Sequence, residues 1–342
     1  MTMRSELGES PEIVERLLDR AVAQVDAVAT RVRARGLDLA VIAARGTSDH
    51  AALYAQYVLG ARNGIVVAPA SPSLASLYGT PPRMGSALVI GISQSGRSPD
   101  VVAVIEASRR QGALTVAVTN EPDSELAAAA ECLIELEAGA EKAVAATKTY
   151  VAEIAVIAML SAALSGDDLS RAEMHSVPAA IRGALEQEPL IERIAAVWKD
   201  EDRCAVLARG FNYATAREWA LKLKEVAYVL ADPYSSADFQ HGPIALVERG
   251  FPVLAIATAG PAFEGMAVLV ERLHGDGARL LILSDSARFD GLGDVVRVPA
   301  VPEWLSPLVA IVPAQLFALH LAIARGLDSE HPRSLSKVTL TR

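Results

Sequence analysis

Only two cysteines, Cys132 and Cys204, occur in 342 residues, far from each other and from any histidine at ligand spacing. That scarcity excludes a disulfide framework and a zinc finger or ribbon, and both thiols are expected to be buried as small apolar residues. No segment gathers lysine and arginine, and the net charge is −9, so a nucleic-acid surface is not expected. The first eleven residues contain no apolar stretch of the signal-peptide kind, and the other apolar runs read as too short or too interrupted to cross a bilayer. The expectation is a cytoplasmic protein with no membrane partner.

What the chain does have is apolar material, 51% of its residues, enough for two domains of ordinary size. Ile13, Val14, Leu17, Leu18, Ala21, Val25 and Val28 recur at a helical period between charges, which predicts one amphipathic helix over 11–35. The pattern then alternates. Strands are expected over 37–43, 87–92 and 114–118, and helices over 49–60 and 100–111. Such alternation implies parallel strands joined by right-handed helical crossovers.

The second half repeats the first. The stretch from Val41 to Gly46 matches that from Ala205 to Gly210, and Gln111 to Asn120 matches Asp276 to Asp285, with separations of 66 and 67 residues between the matched glycines of each copy. The expected class is therefore α/β, with two tandem domains, each a doubly wound parallel sheet flanked by helices. The boundaries read as an N-terminal helix over 1–35, a first domain over 36–165, a linker and helix over 166–195, a second domain over 196–326 and a C-terminal tail over 327–342. Open parallel sheets bind ligands beyond the carboxyl ends of their strands, so chemistry is sought in the loops there.

Those loops differ between the copies. The first offers Thr47 and Ser48, then Ser93-Gln-Ser-Gly-Arg-Ser98, each just before a predicted helix; the second offers Thr258-Ala-Gly-Pro-Ala262, with far fewer donors. A helix start carries unpaired N–H groups and a partial positive charge, which suits an anion. The 93–98 segment lacks the lysine of a Walker loop, the second glycine of a hydrolase elbow and the dinucleotide fingerprint. Simple helix capping is the plain competing explanation, but one cap does not need Ser93, Ser95 and Ser98 together with Thr47 and Ser48. A phosphate held by the first copy is the favoured reading.

With Arg45-Gly-Thr-Ser48, Ser93-Gln-Ser-Gly96, Ala145-Ala-Thr-Lys148, Ala220-Leu-Lys-Leu-Lys-Glu225, His241-Gly-Pro243 and Leu335-Ser-Lys337 in this order, the chain resembles the sugar isomerase (SIS) domain family. It is most similar to the isomerase half of glucosamine-6-phosphate synthase and to SIS-type glucosamine-6-phosphate deaminases. The chain opens on a helix without an N-terminal cysteine, so glutamine-dependent synthesis is not expected. The resemblance implies that Thr47, Ser48, Ser93, Gln94, Ser95 and Ser98 hold a sugar phosphate and that Ala145, Ala146 and Thr147 line the sugar. It further implies that Glu225 moves a proton between C1 and C2, on a helix read as Glu218 to Leu230, and that Lys222 stabilises the developing charge.

By context alone Glu225 would be a surface ion-pair partner, His241 a structural histidine and Lys337 a tail charge. The resemblance instead makes His241 a ring-opening group that reaches a partner subunit's site in a homodimer, and Lys337 the lysine that closes over the sugar, through an imine with the open-chain carbonyl. His50, His175, His274, His320 and His331 have no comparable context and read as structural. No metal or cofactor is implied.

The implied substrate is an amino-sugar 6-phosphate. A free amine permits deamination of glucosamine 6-phosphate, whereas an N-acetyl group would favour expulsion of the C3 hydroxyl, a dehydratase reaction on N-acetylglucosamine 6-phosphate. A simple phosphosugar isomerase and a non-catalytic sugar-phosphate regulator would use the same phosphate loops. Asp238, Gln240 and Trp219 depart from the family pattern, and a bulky ring at Trp219 is expected to reshape the sugar pocket.

Overall fold

The structure is a computed structural model that describes residues 2–337; Met1 and the end of the 327–342 tail, residues 338–342, lie outside the described residues. Three helices lead: α1 (Thr2–Gly8), α2 (Ser10–Arg20) and α3 (Val22–Arg35). The helix expected over 11–35 is thus divided at Ala21. Helical hydrogen bonds nevertheless run through the division, from Ala21 N–H to Leu17 O at 2.9 Å and from Val25 N–H to Ala21 O at 3.0 Å. Ile13, Val14, Leu17, Ala21, Val25 and Val28 are all buried, as their period requires.

Next come β1 (Leu39–Ala43), α4 (Thr47–Asn63), β2 (Val66–Pro69), α5 (Ser73–Ser76), β3 (Leu88–Ile92), α6 (Pro99–Arg110), β4 (Leu114–Thr119), α7 (Glu125–Ala129) and β5 (Cys132–Glu135). The strands are parallel and lie in the order β2-β1-β3-β4-β5. Strands buried on both faces read as continuous apolar runs rather than alternating ones, and all five residues of β3 are buried. Val41, Val89, Val104, Ile105, Ala117 and Leu126 belong to the core of this sheet.

Four helices follow, α8 (Lys148–Ser165), α9 (Asp168–Met174), α10 (Val177–Leu185) and α11 (Glu188–Val197). The second sheet is built from β6 (Arg203–Ala208), α12 (Tyr213–Lys222), a π-helical turn over Leu223–Ala227, β7 (Leu230–Ser235), α13 (Ser236–Gln240), β8 (Pro252–Ile256), α14 (Phe263–Gly275), β9 (Arg279–Ser284), β10 (Asp294–Arg297) and α15 (Ser306–Ala324). Its order is β10-β9-β8-β6-β7, which is the order of the first sheet counted from the opposite edge. The internal repeat read in the sequence is therefore a repeat of topology. Leu207, Phe239, Val253, Val270 and Ile282 fill its core.

The chain divides into two compact units. One holds Glu12–Glu141, Lys148–His175 and, in the tail, Ser336 and Lys337, around the first sheet; the other holds residues 2–11, Lys142–Thr147 and Ser176–Leu335, around the second.

Three expectations are corrected. Lys148–Ser165 and Glu303–Ala324 are both long and apolar enough to cross a membrane, contrary to the expectation that no run was, but 89% and 83% of these stretches are buried in the protein. Their apolarity supplies core surface. Cys204, on the internal strand β6, is buried, and burial pushes its thiol up to about 12, whereas Cys132 is only half-buried because β5 is an edge strand.

Trp219 presents no exposed surface to a sugar pocket. It is wholly buried, its ring meeting Phe317 of α15 edge-on at 5.9 Å between centroids. Trp198 approaches the same ring at 6.1 Å. Trp219→Ala should therefore lower the unfolding free energy by about 3–5 kcal/mol, read as an earlier midpoint in urea, while Trp219→Phe gives a smaller loss and retains substrate affinity. A change in affinity with unaltered stability would contradict the core assignment.

Candidate functional site

In the order β2-β1-β3-β4-β5 the connections from β1 and β3 leave toward opposite edges, which opens a crevice at the carboxyl ends of these neighbours. Their register, Ala40 opposite Leu88 through Ala43 opposite Gly91, brings the loop carrying Thr47 and Ser48 beside the loop carrying Ser93 to Ser98. Arg45 fastens the two: its Nε donates to Asp100 Oδ2 at 2.7 Å, and the Asp100 side chain is wholly buried in the first turn of α6.

Two helices start at this edge, α4 after Gly46 and α6 after Ser98; neither Gly46 nor Ser98 caps its helix with a side chain, and in the first turn of α6 Asp100 Oδ1 accepts the Val101 N–H at 2.9 Å. Simple capping would put the Ser98 hydroxyl on an α6 N–H; it lies instead 3.4 Å from the Ser93 hydroxyl. The geometry favours the anion-binding reading. Gly96 has φ 61°, and a Cβ there would overlap Ser124, so only glycine lets this loop turn. Ser93 is buried and Thr47, Gln94, Ser95 and Ser98 are half-buried. Ser48 stands apart. Its hydroxyl donates to Glu153 Oε1 of α8 at 2.7 Å, so that proton is spent inside the unit.

The matching edge of the second sheet is filled by the chain itself. Asn212 Nδ2 donates to Thr258 Oγ1 at 3.0 Å and to Ser306 Oγ at 2.7 Å, and the two hydroxyls are 3.2 Å apart. Glu303 packs against Gly260 and accepts the Ala262 N–H at the start of α14. A carboxylate from a distant element thus takes an N–H at this helix start, whereas α6 has only its own Asp100 on the Val101 N–H. Burial raises the Glu303 carboxyl above its ordinary 4.5.

The second unit also carries the proposed acid-base group. Lys222 ends α12 with its side chain wholly buried, its ammonium 3.3 Å from Glu218 Oε1 and in close contact with Glu225 Oε2. Burial works against the ammonium, but Glu218 and Glu225 outweigh it and hold the Lys222 pKa above its usual value. Glu218 is wholly buried, while Glu225 keeps 20% exposure. The helix read as Glu218 to Leu230 is corrected: Glu225 lies in the π turn, Tyr228 closes it at φ 54°, and Leu230 already begins β7. The surface ion pair that plain context suggested for Glu225 is a buried three-charge cluster.

Ala145 and Thr147 are buried and Ala146 is half-buried. They fall in the second sheet's unit with Lys222, Glu225 and His241, whereas the six phosphate candidates and Lys337 fall in the first sheet's unit. His241 follows α13 on an exposed loop, its N–H donating to Asp238 O at 3.0 Å. Gln240 turns its amide back to Ser236 O at 2.9 Å. Lys337 Nζ lies 2.6 Å from Glu141 Oε2. Of the remaining histidines, His320 meets Glu188 at 3.0 Å, His331 meets Asp328 at 2.9 Å, and His274 meets Leu292 O at 2.8 Å.

The SIS domain model matches residues 38–163 and 199–325. The chain belongs to the SIS domain family. Over 316 residues it is 37% identical to the glutamine–fructose-6-phosphate aminotransferase (isomerizing) of Gloeobacter violaceus, covering 88% of this chain and 51% of that one. Over 341 residues it is 34% identical to the protein of the same name from Pyrococcus horikoshii, covering 98% and 57%. The chain therefore spans about half the length of the curated relatives it matches. A solved structure of a candidate phosphosugar isomerase from Silicibacter pomeroyi DSS-3 is similar with a TM-score of 0.89 and 36% identity, covering 96% of this chain and 99% of that one.

For this SIS protein, sequence reasoning missed Asp100, Glu141, Glu153 and Glu218 as partners of the candidate groups. For Asp100, Glu141 and Glu153 the partner lies 55, 196 and 105 residues away, where sequence carries no signal of it; Glu218 stands four residues before Lys222, an i,i+4 spacing that was there to be read. The occupancy of the second helix start by Glu303 is testable through stability. Because the folded-state pKa of Glu303 is raised, the folded form binds its proton more tightly, and stability is lost as pH rises from about 4.5 through that pKa. Glu303→Gln should accordingly raise the melting temperature at pH 7–8, with the difference closing below about pH 4.5; a difference independent of pH would refute the account.

Proposed function

We propose that this SIS chain is an amino-sugar 6-phosphate isomerase and deaminase, converting glucosamine 6-phosphate to fructose 6-phosphate and ammonia. The observation that carries the reading is the buried Lys222 ammonium against Glu225, a carboxylate that keeps access to solvent on a π turn. Irregular helical turns of this kind frequently occur at functional positions. A protein that only bound a sugar phosphate would have no use for a strongly held carboxylate and ammonium pair. The Gloeobacter and Pyrococcus relatives are, by name, isomerizing and concerned with fructose 6-phosphate, which supports the substrate class.

In this reading Thr47, Ser93, Gln94, Ser95 and Ser98, together with Ser48 through its backbone N–H at the α4 start, hold the phosphoryl group, and Ala145, Ala146 and Thr147 line the sugar. His241 transfers the proton that opens the ring. Glu225 removes the C2 proton, the C–H pair becomes the C1–C2 double bond, and the C1 carbonyl oxygen gains a proton. Lys222 stabilises the charge formed on that oxygen. Glu225 then returns the proton to C1 while the nitrogen pair closes a C2 imine, and water adds at C2 as ammonia leaves.

Lys337 closes over the open sugar and forms an imine with the open-chain C2 carbonyl of fructose 6-phosphate. A cytoplasmic setting and a homodimer in which His241 serves the partner's site complete the proposal; the exposed loop of His241, with Leu246 58% exposed, supports the second.

A proton NMR time course with glucosamine 6-phosphate, and separately with its N-acetyl form, tests the reading. Ammonia release and loss of the C2 proton signal with the free amine are expected. An olefinic product from the N-acetyl form would select the dehydratase, and binding without turnover would select a sensor. Glu225→Gln should bind substrate with little change in KM and lose about 10²–10⁴-fold in kcat; retained turnover would remove Glu225 from its role.

A further inference from the structure

The Glu141 side chain has no exposed surface, and named groups account for both of its oxygens. Oε1 accepts the Thr149 N–H at 3.2 Å in the first turn of α8, and Oε2 accepts the Thr149 hydroxyl at 2.8 Å. The first-turn N–H groups of a helix have no intrahelical acceptor, and the helix start favours a negative charge. Glu141 is therefore clamped to the end of a long core helix, in one orientation. Its Oε2 also receives the Lys337 ammonium at 2.6 Å, across 196 residues of sequence. Lys337 itself remains 24% exposed.

This arrangement is lopsided in a useful way. The carboxylate is fixed by the fold and wholly buried, while the lysine it receives retains access to solvent. A buried carboxylate that loses its cation is strongly disfavoured, so the pair resists separation until another group satisfies one of its members.

We propose that Glu141 is the positioning residue for Lys337: it sets where the amine meets an open-chain sugar carbonyl and takes one proton from the ammonium as the amine adds. The inference rests on the reading that Lys337 forms an imine with the sugar. The ammonium gives one proton to Glu141 Oε2, and the freed pair on Nζ forms the bond to the carbonyl carbon. A second Nζ proton and the one held by Glu141 pass to the carbonyl oxygen, which leaves as water. The third proton stays on the iminium nitrogen.

The test uses the full chain, fructose 6-phosphate as probe, sodium borohydride to trap an imine and peptide mass analysis to locate it. In parallel, acetic anhydride without sugar measures how freely Lys337 reacts. Wild type should trap an adduct on Lys337. E141Q should form it about tenfold more slowly, as expected for loss of a hydrogen bond to a charged group, and its Lys337 should acetylate faster than in wild type. E141D should recover part of both.

T149V, which loosens the carboxylate without removing its charge, should move both readouts the same way and serves if E141Q does not fold. An adduct formed at the wild-type rate in a folded E141Q, or in T149V where E141Q does not fold, overturns the proposal. So does unchanged Lys337 acetylation in that variant. If wild type traps nothing on Lys337, the imine reading falls instead, and the acetylation comparison decides whether Glu141 positions the lysine.

Discussion

A helix that begins at the carboxyl end of a parallel strand must find acceptors for its first N–H groups, and much of this molecule follows from how that requirement is met at different places. At the start of α14 the chain supplies Glu303 as its own anion. At the start of α8 it supplies Glu141. At α4 and α6, side by side at the edge of the first sheet, Gly46 and Ser98 supply no side-chain cap, Asp100 takes the Val101 N–H of α6, and hydroxyl residues stand at both starts. Identical topology thus carries a hydroxyl-lined edge in one sheet and an edge filled by Asn212, Thr258, Ser306 and Glu303 in the other, and the difference lies in a few loop residues.

Buried charge is the second organising element. Asp100, Glu141, Glu153, Glu218 and Lys222 are each essentially withdrawn from water and each has an oppositely charged or hydrogen-bonding partner. Such pairs contribute little net stability compared with apolar residues of similar volume, because desolvation offsets the attraction. What they do provide is fixed geometry, since a buried ion separated from its partner is strongly disfavoured. Four of these groups lie next to a candidate phosphate or proton-transfer residue: Asp100 ties the two hydroxyl loops together, Glu153 holds Ser48, Glu141 holds Lys337, and Glu218 shares Lys222 with Glu225. The side chains proposed to touch substrate are thus carried by charges placed behind them.

Much of this was legible from the residues in order. Apolar strands with hydroxyl loops at their ends, and a repeat spaced by 66 and 67 residues, were enough to indicate two sheets of one design and to single out Ser93 to Ser98. The hydroxyl loops could be read because their chemistry is local, with donors, a glycine and a helix start within a few positions. The supporting carboxylates could not, because Glu141 meets Lys337 across 196 residues and Ser48 meets Glu153 across 105. A helical period also cannot reveal a π turn, since Leu223, Val226 and Ala227 are buried in either geometry. That is why the helix drawn from Glu218 to Leu230 ran past its true end.

The contrast between the two sheet edges also bears on why a duplicated fold would keep one silent copy. Had both edges stayed open, each would offer helix starts and hydroxyls to phosphate, and a sugar phosphate could be held where no acid-base group serves it. Glu303 places a negative group at the second edge, where it repels an anion and satisfies the same N–H that would have bound one. The carboxyl is half-buried and its charged form is disfavoured there, so the substitution carries a standing cost at neutral pH. That cost is intelligible if the second copy's work is to present Lys222, Glu225 and His241 rather than to bind, leaving the first sheet's edge as the one proposed to hold a phosphoryl group.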